Sequence, residues 1–209
     1  MLYKRLPKFN YEGDAHFVTS KTHLNTPLFA VHSCAIIVLE ELAFYRQQNN
    51  MKILGYVVMP DHIHLVVWWD MMKKPQLSIS KIMQGFKGSV ARRIIDEVFE
   101  TNTQPGSIEY PLYAIQRKLM LSPTPAMVAT GNKGHRRNLK YKIWQTGFYD
   151  FHIISPEKLN EKLNYIHCNP EKAGLCDKPE EYPYSSAWYY ADMSKPGMLD
   201  RMICPVDEF

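Results

Sequence analysis

The sequence predicts an α+β fold: a ferredoxin-like (RRM-like) antiparallel sheet with helices on one face, plus an insertion and a C-terminal tail. Three observations predict it. The elements run β-α-β-β-α, then, past a polar stretch, β-α. The two central strand candidates are apolar and meet at a tight Pro60-Asp61 turn. Both long helix candidates carry an apolar stripe at helical spacing. With 209 residues, 45% hydrophobic and 22% charged, the chain suits one domain, residues 1–209, rather than a disordered segment or two full domains.

Each element has its own reason. Asp14 to Lys21 (DAHFVTSK) has strand character. Ala30 to Asn50 is a helix, because Val31, Cys34, Ala35, Val38, Leu42 and Tyr45 recur on one stripe and Asn49-Asn50 supplies a stop. Lys52 to Met59 (KILGYVVM) and His62 to Asp70 (HIHLVVWWD) form a hairpin of central strands. Ser78 to Phe99 is a second long helix with Ile82, Phe86, Val90 and Ile94 inward. From Glu100 to Lys142 the periodicity fails and Pro, Gly and Thr accumulate, so 100–142 reads as a basic insertion or long loop. Trp144 to Ile154 reads as a strand. Ser155 and Pro156 then open a helix as N-cap and first-turn proline. After Gly174 comes a tail, 176–209, rich in Tyr and Pro.

Charge and cysteines narrow the class. A net charge of +4 permits a nucleic-acid partner without demanding one, so the placement of charge matters more than its sum. Cys34, Cys168, Cys176 and Cys204 form no CxxC pair, which argues against a zinc finger or a disulfide framework. No apolar run approaches the ~18 residues of a membrane span, and MLYKRLPKF is not a signal peptide. The expectation is a cytoplasmic protein with no membrane partner.

The chemistry-bearing residues fall in two places. His62 and His64, two apart on a strand, share a face, and two neutral imidazoles so placed can share one divalent ion. The pair equally fits two histidines on the solvent side of a strand. In the helix KLNEKLNYIHCN, Leu159, Leu163 and Ile166 form the buried stripe and Tyr165 falls on the polar face. From there it can reach a bound phosphate, although packing alone also explains many helical tyrosines. Asn169, four residues on, shares that face as a candidate third ligand, but NPEKAG also makes it a helix N-cap.

MPDHIHLVV, followed about a hundred residues later by LNYIHCNPEKAGL, resembles the tyrosine transposases of the HUH superfamily, and among them the REP-associated tyrosine transposases. The resemblance covers about His16 to Leu175. It implies a ferredoxin-like core, a divalent metal (Mg2+ or Mn2+) on His62 and His64, and Tyr165 as catalytic nucleophile. It further implies Asn169 as the extra ligand where other members carry glutamine. The partner it implies is single-stranded DNA that forms hairpins, in a cytoplasmic, nucleoid-associated protein. Some relatives act as homodimers, others as single chains.

On that reading, attack by Tyr165 leaves a 5′-phosphotyrosine and a free 3′-hydroxyl. A tyrosine hydroxyl is a weak acid, so Lys158 or Lys162 is placed to assist it. Phosphate contacts are expected from the acid-free run GNKGHRRNLKYK (Lys133, Arg136, Arg137, Lys140, Lys142) and from Lys87 and Arg92 on the second long helix. The tyrosines and tryptophan from Tyr182 to Tyr190 fit base stacking less well than they fit a tail glued to the core. The rival readings are a non-catalytic nucleic-acid-binding module, a domesticated hairpin-binding protein, and a hydrolase using metal-bound water. A covalent protein–DNA adduct separates the transposase from the binding module and the hydrolase.

Overall fold

The computed structural model describes residues 14–99, 110–120, 141–191 and 203–207. Its centre is a four-stranded antiparallel sheet in the order β2-β3-β1-β4. The strands are β1 (Asp14–Lys21), β2 (Lys52–Met59), β3 (His62–Trp69) and β4 (Tyr149–His152). Helix α1 (His32–Asn49) connects β1 to β2. Helix α2 (Ile79–Arg93) follows β3 and runs on as a π-helical turn over Ile94–Phe99. This is the ferredoxin-like arrangement expected. Among the described residues no helix is long and apolar enough to cross a membrane.

Strand register decides which side chains share a face. His64 lies opposite Thr19 on β1 and Val57 on β2, and His62 lies opposite Lys21 and Met59. Tyr149 of β4 pairs with Thr19, and Phe151 with Phe17. One face of the sheet therefore carries Phe17, Thr19, Lys21, His62, His64 and Tyr149, because side chains alternate along each strand. Val18, Val58, Ile63 and Leu65, of opposite parity, are buried too. Their cover is α1, which packs on both β2 and α2.

The face that bears the histidines is not bare. Helix α4 (Pro156–His167) lies across it, in contact with β2 and β3. Ser155 caps it by accepting from the Lys158 amide, with Pro156 in the first turn, as the sequence suggested. Gly55 lets it approach: a Cβ there would stand 2.6 Å from Leu163 Cδ2 and 3.0 Å from Ile166 Cδ1. The short helix α5 (Asn169–Lys172) follows at once, and Gly174 ends that stretch with φ at +69°.

The tail seals the outer edge of β2. The Val58 amide donates to Tyr184 O (2.8 Å), Ser186 N donates to Tyr56 O (2.9 Å), and Asp207 N donates to Ile53 O (2.8 Å). Tyr182 Oη donates to Val58 O and Tyr190 Oη to Leu54 O. Helix α6 (Ala187–Ala191) carries Tyr190. These tyrosines are glue rather than stacking platforms, and the row of unpaired groups that an edge strand presents is closed.

Two expectations need correction. The segment 100–142 is not structureless throughout, because Tyr110–Leu119 forms helix α3, with Ile115 and Leu119 buried one turn apart. The strand expected over 144–154 is only Tyr149–His152. Gly147, at φ +76°, breaks the extended chain before it, and Trp144 keeps a single bridge to Thr22.

Candidate active site

The functional side chains foreseen at His62, His64, Tyr165 and Asn169 converge on one open cleft. It encloses about 480 Å³ and is lined also by Phe17, Thr19, Lys21, Tyr149 and Lys162. The two imidazoles stand edge to face, centroids 4.7 Å apart. The Tyr165 ring is 5.2 Å from that of His64 and 5.9 Å from that of Phe17, edge-on to both. Tyr165 is 47% exposed, as its place on the polar face of α4 requires. Lys162, one turn earlier, lays its ammonium 4.7 Å from the Phe151 ring centroid and 5.4 Å from that of Phe17.

Hydrogen bonds orient both imidazoles. His62 Nδ1 lies 2.6 Å from Asp61 Oδ1; a carboxylate only accepts, so the nitrogen carries the proton. His64 Nδ1 lies 2.7 Å from Thr19 Oγ1, and its Nε2 lies 3.2 Å from Asn169 Nδ2. The Asn169 amide donates to Nε2, so the His64 proton also sits on Nδ1 and is given to the Thr19 hydroxyl. On His64, therefore, Nε2 keeps its lone pair. Burial, then the neighbouring His62 and Lys21, push the His64 pKa down to about 3, so the ring is neutral at physiological pH.

This donor set fits a divalent cation. Neutral imidazole nitrogens held by outer partners are common ligands of divalent transition-metal ions, while an amide oxygen and water suit the harder Mg2+ and Mn2+. Asn169 completes the set, because a half-turn of its amide would offer Oδ1 in place of Nδ2. The competing cap role does not hold. Asn169 is the first residue of α5, Cys168 occupies the cap position without a side-chain bond, and the Asn169 amide reaches His64 instead.

Residues 12–110 match the family model described as "Transposase IS200 like". Over that stretch, just under half of its length, the chain is similar to IS200-like transposases. In solved structures the fold resembles a REP-associated tyrosine transposase bound to a REP hairpin. That match has 14% identity and a TM-score of 0.54, and covers 99% of this chain and 94% of the other. A candidate transposase from Deinococcus radiodurans R1 shares 18% identity over 78% of this chain and 95% of its own, at a TM-score of 0.43. No curated protein sequence matches. The match to the transposase family holds the histidine pair but ends before α4, so the place of Tyr165 in the site rests on geometry.

The other foreseen contacts divide. Lys162 enters the cleft while also pairing with Glu161 at 3.1 Å, and Lys158 pairs with the same Glu161 at 2.7 Å outside the lining. Lys87 is committed elsewhere, donating to Gln145 O (2.9 Å) and Gly147 O (2.5 Å), with burial lowering its pKa. Its ammonium pins the loop before β4, which makes it a poor phosphate contact. Arg92 is exposed on α2, outside the cleft lining. Lys142 is half-buried, its backbone amide bonded to Leu119 O. Lys133, Arg136, Arg137 and Lys140 lie outside the described residues.

Sequence reasoning missed Thr19, Lys21, Phe17 and Asp61 as parts of the site, whereas Tyr149 was foreseen as the nearest substitute nucleophile. A signal existed for three of them: Phe17, Thr19 and Lys21 alternate along β1. Pairing β1 against β3 puts that parity beside the histidines.

Proposed function

We propose that the chain is an IS200-like transposase that cuts and rejoins single-stranded DNA, with Tyr165 as the nucleophile. Its divalent cation, Mg2+ or Mn2+, would be held by His62, His64 and Asn169. One observation carries the reading: the half-exposed Tyr165 shares a cleft with two imidazoles a hundred residues away in sequence, of which His64 is held neutral by burial. A bound cation would neutralise charge on the scissile phosphate there. Lys21 and Lys162, both lining the cleft, hold the phosphate by charge. Tyr165 Oη attacks phosphorus and loses its proton. The bond to the 3′-side oxygen breaks and that oxygen takes up a proton, leaving a free 3′-hydroxyl and a 5′-phosphotyrosine. Attack by a 3′-hydroxyl on the phosphotyrosine reverses the step and needs no nucleotide energy source.

The fold this chain shares with a transposase bound to a REP hairpin makes hairpin-forming DNA the substrate class to try first. An RNA-recognition type of module fits less well, because α4 covers the sheet face on which bases would stack and Phe17 is buried there.

The test is incubation of the protein with hairpin-forming single-stranded DNA and Mn2+, followed by a denaturing gel. The expected result is a covalent adduct with wild type and none with Tyr165→Phe. Nicking without an adduct, undiminished in Tyr165→Phe, would move the chemistry to water; binding without nicking would leave a binding module. Replacing Lys133, Arg136, Arg137 and Lys140 with serine, which spares the buried Tyr141, should lower the salt dependence of DNA binding by about 0.7 log units per lost phosphate contact. An unchanged slope would make that run a solvated loop.

A further inference from the structure

We propose that Asp61 is a positioning residue: its carboxylate locks His62 in the Nδ1–H form and turns Nε2 into the cleft. The inference rests on the metal-binding part of the proposed function and goes beyond it by assigning a residue that touches neither metal nor DNA.

The argument starts from how the hairpin turn is held. Asp61 O accepts from Thr22 N at 2.8 Å and from Thr22 Oγ1 at 2.9 Å, and Phe29 N donates to Pro60 O at 2.9 Å. The end of β1 and the segment before α1 thus clamp the turn through its main chain. The Asp61 side chain plays no part in those bonds. Its Oδ1 instead accepts the His62 Nδ1 proton at 2.6 Å. His62 is only partly shielded, with 19% of its side chain exposed, so its neighbours do not fix the ring by packing alone.

The comparison with His64 sharpens the point. His64 is 3% exposed, stacks on Phe17 at 5.5 Å, and gives its Nδ1 proton to the neutral Thr19 hydroxyl. Packing holds that ring whatever its outer partner does. The looser ring has the charged partner. A carboxylate that accepts a proton from one imidazole nitrogen both sets the tautomer and makes the other nitrogen a better donor to a cation; loss of such a partner typically costs about 10–100-fold in metal affinity.

The experiment compares wild type, Asp61→Ala, Asp61→Asn and Thr19→Val. Two readouts are used: Mn2+ binding by calorimetry, and the His62 tautomer by 15N NMR in metal-free protein at neutral pH. Asp61→Ala is expected to weaken Mn2+ binding about 10–100-fold and to give His62 a mixed tautomer. Asp61→Asn, whose amide oxygen still accepts, should fall between Ala and wild type. Thr19→Val should change the His62 tautomer not at all. Asp61→Ala with wild-type Mn2+ affinity, or with His62 still fully Nδ1–H, overturns the proposal. Wild type that takes up no Mn2+ overturns the metal reading itself, a result distinct from any Asp61 effect. If Asp61→Ala fails to fold, Asp61→Asn decides, since its backbone and turn contacts are those of wild type.

Discussion

Tyr165→Phe deletes a single oxygen and leaves the ring edge-on against His64 and Phe17. Because the residue is half-exposed and no described packing depends on the hydroxyl, thermal stability should stay within about 0.5 kcal/mol of wild type. The DNA adduct should nonetheless disappear, with Mn2+ and DNA binding kept. A large drop in melting temperature would show instead that the hydroxyl has a structural partner. The same scale explains what was legible in the residues. A tyrosine on a polar helix face and two histidines in an apolar strand stand out because each breaks a local rule. Asp61 and Thr19 break none: an aspartate in a turn and a threonine in a strand are ordinary. The part Thr19 plays appears only when folding brings it opposite His64, forty-five residues later in the chain, and that of Asp61 only in the side-chain bond it makes to the next residue, His62.

Elements were legible where periodicity is strong. The first strand and both strands of the hairpin match their expected spans almost residue for residue, because β-branched runs bounded by turn residues have few alternatives. Helix α3 was hidden, since its ten residues sit among Pro, Gly and Thr, and the turn from Ile115 to Leu119 is too short a pattern to stand out. The docking of α4 was equally invisible, because it depends on a missing side chain. Gly55, after the irregular pairing at Ile53, leaves the space that Leu163 and Ile166 fill. Gly55→Val should therefore cost about 1–3 kcal/mol of stability by overpacking. It should also lift α4 from the sheet, carrying Tyr165 away from His64. Adduct formation should fall more steeply than DNA binding; a Gly55→Val protein with wild-type stability and adduct yield would show that α4 is not seated on that glycine.

At the scale of the whole molecule, two buried histidines tie sheet, helix and tail together, and both are held neutral. His64 lies between the sheet and Asn169. His167, at the end of α4, is fully buried and bonds Ser186 Oγ at 2.7 Å; that hydroxyl also accepts from Tyr56 N and donates to Tyr56 O. Burial is the first cause in each case, lowering both to about 3 from an ordinary value of 6.5. The sign follows. Above about pH 6.5 folded and unfolded chains are alike at these sites. Below it the unfolded chain takes up protons that the folded chain refuses, so stability is lost as pH falls from 6.5 toward 3. Each histidine contributes about 1.4 kcal/mol per pH unit, or roughly 2 kcal/mol by pH 5. Against a typical total of about 5–15 kcal/mol that is a large share. Urea unfolding of metal-free protein, with chelator present, should therefore show a lower midpoint at pH 5 than at pH 7. His167→Gln, whose amide can still donate to Ser186, should be less stable at pH 7 but lose about half as much between the two. A midpoint independent of pH over that range would mean that these histidines are solvated or already open in the folded protein, and with them the seam that holds α4 and its tyrosine over the sheet.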